Sequence, residues 1–248
     1  MAARRALIAG NWKMHGRRAD LREAGDLIAR LGPRGAGAVS VLICPPMIYL
    51  EAAMAAVAAS GVAVGAQDCS PVAEDAARTG EVSAAMLADA GVRFVIVGHS
   101  ERRTLLGETD DLVRRKAEAA LAVGVTPIIC VGESQSEREA GREQDVVAAQ
   151  IRASVPAAGE IVVAYEPVWA IGGSRTPTPH EIAAMHSVIR RELGPRGAAT
   201  RILYGGSVNA KNAAEIFGVE GVDGALVGRA CLKAADFAGI IQAHPAVV

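Results

Sequence analysis

Aromatic residues are scarce: three Phe, three Tyr and two Trp in 248 positions. A large core must then be built from Ala, Val, Ile and Leu, and a hydrophobic fraction of 51% supplies them. Cysteine is equally sparse. Cys44, Cys69, Cys130 and Cys231 lie far apart with no C-x-x-C pair. That scatter argues against a disulfide frame or a zinc cluster and fits reduced thiols in a cytoplasm. No apolar run nears the roughly 18–20 residues that cross a bilayer, so no membrane partner is expected. Arg4-Arg5 could open a twin-arginine export signal, but Ala6–Ala9 is far shorter than an h-region of about 7–15 residues. Charge of one sign is missing too. Lys+Arg 26 against Asp+Glu 27 gives a net charge of −1, with no electrostatic reason to expect nucleic acid. A low-complexity stretch or Pro/Ser-rich linker is also absent, which leaves one domain over 1–248.

What is present is a repeating alternation. Short β-branched runs fall at Ala6–Ala9, Val39–Ile43, Val62–Val64, Phe94–Val97, Thr126–Val131, Ile161–Ala164, Ile202–Tyr204 and Ala225–Val227. Most are continuously apolar, the pattern of parallel strands covered on both faces. Between them the periodicity predicts helices over Ala19–Leu31, Met47–Ala59, Ser83–Ala90, Glu108–Val123, Glu137–Ser154, Thr178–Leu193, Ala210–Phe217 and Asp236–Ala243. Thr178-Pro179-His180-Glu181 reads as an N-cap with Pro at N1 and Glu at N3. Gly91, Gly124 and Gly218 read as helix C-terminal glycines. Eight βα units in one chain favour a single-domain α/β fold, a closed (β/α)8 TIM barrel, over an open doubly wound sheet. The long segment Gln67–Glu81 has little apolar periodicity and reads as a functional or interfacial loop.

In such a barrel the chemistry sits at the C-terminal strand ends. There the chain carries Asn11-Trp12-Lys13, Gly98-His99-Ser100-Glu101, Glu166-Pro167, Gly205-Gly206-Ser207 and Gly228-Arg229. Glu166 is the most informative. It ends a β-branched run, is followed by a proline that stops the ladder, and precedes a small-residue loop suited to a movable lid. Taken alone, each residue has a plainer reading: Glu166 a solvated loop carboxylate, His99 a structural histidine, Lys13 a surface amine, Asn11 a turn residue, Glu101 a partner for Arg102 or Lys13. His180-Glu181 with His186 superficially suggests zinc, but the histidines are six apart where H-E-x-x-H needs four. No metal site is read here.

Four segments in order carry a specific resemblance: Gly10-Asn11-Trp12-Lys13-Met14, Val97-Gly98-His99-Ser100-Glu101-Arg102-Arg103, Tyr165-Glu166-Pro167-Val168-Trp169-Ala170-Ile171-Gly172 and Tyr204-Gly205-Gly206-Ser207-Val208. Across essentially its whole length the chain resembles the triosephosphate isomerase family. The resemblance implies interconversion of dihydroxyacetone phosphate and glyceraldehyde 3-phosphate through an enediolate, with no cofactor and no metal. It implies Glu166 as base, His99 as electrophile, Lys13 as fixed positive charge and Asn11 as donor to an enediolate oxygen. Glu101 would serve in proton relay or charge positioning. Gly172, Ser207, Gly228 and Arg229 would hold the phosphate, mainly through backbone amides. A neutral His99 imidazole is carried over from the family, for which it is a known property; a helical turn over 100–106 would favour it through its dipole. The family also implies a homodimer in which the Gln67–Glu81 loop reaches the partner, with His15 at the contact.

Three departures from the family pattern stand out. Arg229 replaces the second glycine of a Gly-Gly pair. It would be strained if that position needs positive φ, and otherwise its guanidinium would reach phosphate, a carboxylate or solvent. The lid tip is Gly173-Ser174. Its C-terminal hinge is Arg175-Thr176-Pro177, where proline would alter opening kinetics. Arg229 keeps open an isomerase for a four-carbon ketose phosphate such as erythrulose phosphate. A non-catalytic sugar-phosphate binding protein is the remaining alternative, opposed by the intact Asn11, Lys13, His99 and Glu166.

Overall fold

In a parallel sheet with both faces covered, every strand must be apolar through its length, and the eight runs close on themselves accordingly. The structure, a computed structural model, describes residues 4–33, 35–171 and 175–247. Its strands are β1 (Leu7–Asn11), β2 (Ser40–Cys44), β3 (Val62–Ala66), β4 (Phe94–Val97), β5 (Thr126–Val131), β6 (Val162–Tyr165), β7 (Arg201–Tyr204) and β8 (Gly224–Val227). They form a closed barrel in chain order, and β1 pairs with both β2 and β8. All neighbours are parallel, in registers such as Asn11↔Cys44 and Tyr165↔Tyr204. This is the (β/α)8 TIM barrel read from the sequence.

The helices are α1 (Arg22–Leu31), α2 (Leu50–Val57), α3 (Ala84–Asp89), α4 (Ser100–Leu106), α5 (Asp110–Ala122), α6 (Gln135–Glu139), α7 (Glu143–Ser154), α8 (Pro179–Glu192), α9 (Ala213–Phe217) and α10 (Ala234–Gln242). Alternate strand residues divide the core into two layers. Leu7, Ala9, Leu42, Ile96, Ile128, Val162, Leu203 and Leu226 fill the barrel interior, together with Cys44 and Cys130. Ile8, Ile43, Val95, Ile129, Val163 and Tyr165 face the helices. Medium aliphatic side chains fill the narrow interior without aromatics. Tyr165, Tyr204 and Phe237, the largest fully buried side chains, lie in the outer layer.

Some predicted elements are corrected. Glu137–Ser154 is not one helix: Gly141, at φ 67°, separates α6 from α7. Residues 100–106 form a seven-residue α-helix rather than a single turn. Ala210–Phe217 shortens to α9, because a turn through Asn209 and Asn212 occupies its start. Gly91 and Gly124 have positive φ as helix-ending glycines, but Gly218 at φ −80° stays right-handed. The capping box at α8 forms: the Thr178 hydroxyl accepts from the Glu181 N–H, and Glu181 accepts from the Thr178 N–H at 2.7 Å.

α8 also carries a buried histidine. His186 lies with its Nδ1 3.1 Å from the Gly221 carbonyl and its ring edge-on to Tyr165, centroids 6.0 Å apart. Burial pushes its pKa down to about 4, against the pull of that carbonyl, so the folded protein holds a neutral ring. The unfolded chain binds this proton near pH 6.5, so the neutral ring's stabilisation is complete above that pH and is lost as pH falls toward 4. We expect about 2 kcal/mol of unfolding free energy to disappear between pH 7 and pH 5 through this one group. Urea unfolding of wild type and His186→Phe at both pH values checks it: the variant lacks that increment of pH dependence.

Candidate active site

The C-terminal strand ends gather polar groups that an apolar barrel could not otherwise bury. Asn11 closes β1, and its side-chain oxygen accepts the Lys13 N–H at 2.9 Å. Lys13 takes φ 53°, the one non-glycine positive φ among the described residues. Backbone in that region costs roughly 1–2 kcal/mol, and such outliers persist where surrounding contacts hold them. Gln67 supplies one such contact: its amide nitrogen donates to the carbonyls of Lys13 and Cys44, both at 2.9 Å. Lys13 Nζ is thereby set 2.6 Å from Glu101 Oε1.

His99 stands at the N-cap of α4. Its Nδ1 accepts the Glu101 N–H at 3.2 Å, and its Nε2 lies 2.8 Å from Glu166 Oε1. The other Glu166 oxygen accepts the Ser100 N–H at 2.8 Å. Glu166 follows β6 and is only 2% exposed. Burial pushes its carboxyl up. The charge and hydrogen bond of His99, the Ser100 amide and Lys13 pull it further down, so it rests below its ordinary value as a carboxylate. Burial likewise lowers His99, and the Glu166 carboxylate outweighs it and raises it. An N–H pointed at Nδ1 needs that nitrogen bare. The contact favours a proton on Nε2, facing Glu166, while the Glu101 carboxylate also stands 3.5 Å from Nδ1.

These groups share one cavity of about 700 Å³ with Ser207, Gly228 and Arg229. Asn11, Lys13, His99, Glu101, Glu166, Ser207, Gly228 and Arg229 are thus brought together; Gly172 and the lid tip Gly173-Ser174 lie outside the described residues. Arg229 opens a short 3₁₀ turn, Arg229–Cys231, and is not among the positive-φ residues, so arginine is unstrained there. Its side chain is exposed and makes no ion pair among the described residues. Arg102 and Arg103 are structural: Arg102 pairs with Asp68 and Glu108, Arg103 with Asp110 and the Gly98 carbonyl.

Sequence reading missed the carboxylate that anchors the residues on both sides of Glu166. Glu133 has no exposed surface, and its Oε1 accepts from Tyr165 Oη at 3.1 Å, Trp169 Nε1 at 2.7 Å and Arg138 at 3.1 Å. Trp169 is flanked by two guanidinium groups, Arg138 at 4.6 Å and Arg175 at 4.9 Å from its ring centre. Both arginines also reach Glu181. Burial pushes Glu181 up, and the Thr178 N–H and Arg138 overcome it, leaving a pKa of about 2. Trp169 and Arg175, on either side of residues 172–174, therefore meet at one cluster with Arg138 and Glu181. The available signal was position: Glu133 follows Val131-Gly132, the same Val-Gly ending found at Val97-Gly98 and Val227-Gly228.

Comparison with known proteins agrees with this geometry. The family model described as triosephosphate isomerase matches residues 6–244. Among relatives, the triosephosphate isomerase of Afipia carboxidovorans is 52% identical, covering 97% of this chain and 98% of its own. That of Xanthobacter autotrophicus is 50% identical, covering 99% of both. The crystal structure of triosephosphate isomerase from Bartonella henselae superposes with a TM-score of 0.88 at 38% identity, over 96% of this chain and 98% of that one.

Proposed function

The chain belongs to the triosephosphate isomerase family and interconverts dihydroxyacetone phosphate and D-glyceraldehyde 3-phosphate, a reaction of glycolysis, and on that premise we propose how its residues divide the work. A proton on carbon beside a carbonyl is weakly acidic, so its removal needs a base and a partner for the oxyanion that forms. Glu166 takes the C1 proton and returns it to C2. His99 gives its Nε2 proton to O2 and takes the one leaving O1, so the ring ends as it began. Lys13 offsets the charge of the enediolate and the phosphate, and Asn11 donates to an enediolate oxygen. Glu101 sets the position of Lys13 Nζ and offers its N–H to His99 Nδ1.

The phosphate sits at the opposite side of the cavity, on backbone amides of Ser207, Gly228 and Arg229 with Gly172 from the lid. Its grip favours lid closure, which dries Glu166 and blocks loss of phosphate from the enediolate. The observation that supports the scheme best is the 2.8 Å contact between Glu166 Oε1 and His99 Nε2 inside the cavity that also holds Lys13. Substrate enters by parting that pair, which leaves both groups aimed at its carbons and oxygens.

A homodimer in the cytoplasm is part of the same reading. Met14 is 95% exposed and Ile48 82%, large apolar side chains beside the opening lined by Met47, Gln67 and Lys13. Apolar surface of this kind marks a contact face. The partner's 67–81 loop is the occupant proposed, bracing Asn11 and Lys13 while each site stays within one chain. Dihydroxyacetone phosphate is the expected substrate in either assembly state.

Glu166→Gln removes the base and keeps the shape. We expect kcat to fall about a thousandfold, within the range of general-base effects, with KM little changed in a coupled assay. A variant that keeps wild-type kcat overturns the assignment. Sedimentation of the wild type is expected to give twice the chain mass; a fully active monomer in dilute solution contradicts the dimer.

A further inference from the structure

One side chain outside the cavity holds the backbone on which the base is mounted. β5 ends at Val131, whose last ladder partner is Tyr165. The next residue, Gly132, lies past the ladder, so its N–H and C=O need partners from elsewhere. Gln150, on α7, supplies both. Its side-chain oxygen accepts the Gly132 N–H at 2.7 Å, and its amide nitrogen donates to the Gly132 carbonyl at 3.1 Å. The side-chain amide thus behaves as a one-residue strand.

Gly132 in turn is packed on Glu166. A Cβ at residue 132 would stand 1.7 Å from the Glu166 carbonyl oxygen and 2.6 Å from its carbon, a contact that glycine alone permits. On either side of it the same segment takes hydrogen bonds from the base's own strand end. The Glu166 N–H donates to the Val131 carbonyl at 2.8 Å, and the Val168 N–H donates to the Glu133 carbonyl at 3.1 Å. Residues 131–133 therefore form a mould for residues 166–168, and Gln150 fixes the middle of that mould to a helix. Ser207, Gly228 and Arg229, assigned to the phosphate beside Gly172, lie after β7 and β8, and Gln150 hydrogen-bonds to none of these three.

We propose that Gln150 is a positioning residue for Glu166, holding the carboxylate at its working distance from substrate carbon through the Gly132 peptide. This rests on Glu166 being the base. The chemical step is sensitive to such placement, since a shift of about 1 Å can cost a hundredfold in rate. Binding of the phosphate is not.

Gln150→Met keeps the length of the side chain and removes both hydrogen bonds. We expect kcat to fall between tenfold and a hundredfold with KM within twofold of wild type. Glu166→Asp separately withdraws the carboxylate, and in that background Gln150→Met should cost less than threefold, because the placement it protects is already lost. A wild-type kcat with a lowered melting temperature would make Gln150 merely structural. Equal losses in the two backgrounds, or a raised KM with kcat kept, would also overturn the proposal. Should Gln150→Met not accumulate folded, Gln150→Glu, which keeps an acceptor for the Gly132 N–H and loses the donor, carries the same measurement. If Glu166→Asp alone leaves kcat intact, it is the base assignment that fails, and the two failures are told apart.

Discussion

A buried carboxylate and a buried imidazole hold each other at the rim of the barrel. Glu166 is only 2% exposed, and a charge so placed survives only with partners. His99 Nε2–H and the Ser100 N–H are those partners, one on each oxygen. The same two bonds fix where the Glu166 carboxylate stands, and in the proposed mechanism that is the starting position of the base. Glu101, through its N–H to Nδ1, fixes the tautomer from the other side. In the proposed reaction, a substrate placed between Glu166 and His99 removes the carboxylate that raises the His99 pKa. Burial, Lys13 and the positive end of α4 then favour the neutral form, against the Glu101 carboxylate, which still favours the charged one.

The fold makes this economical. Parallel strands in a closed ring deliver Asn11, His99, Glu166, Ser207 and Gly228 to one rim with no crossing connection. The apolar interior below them needs no polar partners of its own. Fine placement comes from pairs at the rim. Gln67 and Asn11 hold the Lys13 backbone in its left-handed turn. Glu133 gathers Tyr165, Trp169 and Arg138 on one oxygen, so the residues on both sides of Glu166 are anchored to the end of β5.

Much of this was legible before any coordinates. The boundaries of the eight apolar runs lie within two residues of those of the strands, because burial on both faces forces continuous hydrophobicity. The rim residues could be named because each lies within four residues of the end of a run. Less visible was anything made by two residues distant in the chain. Gln150 to Gly132 and Gln67 to Lys13 are such pairs, and neither glutamine sits in a distinctive local pattern. The recurring Val-Gly ending hides different needs. Gly98 has φ 65° and Gly228 φ −83°, while Gly132 serves a close backbone approach. Arg229 reads as a hazard in sequence and is harmless in place, since its turn is right-handed.

The central claim is that His99 works as an uncharged donor beside an ionised Glu166. Nitrogen NMR of histidine-labelled protein, carrying bound glycerol 3-phosphate and followed from pH 5.5 to 8, reads this directly. The account predicts a neutral His99 ring with its proton on Nε2 at every pH in that range. An imidazolium, or a neutral ring protonated on Nδ1, would contradict it.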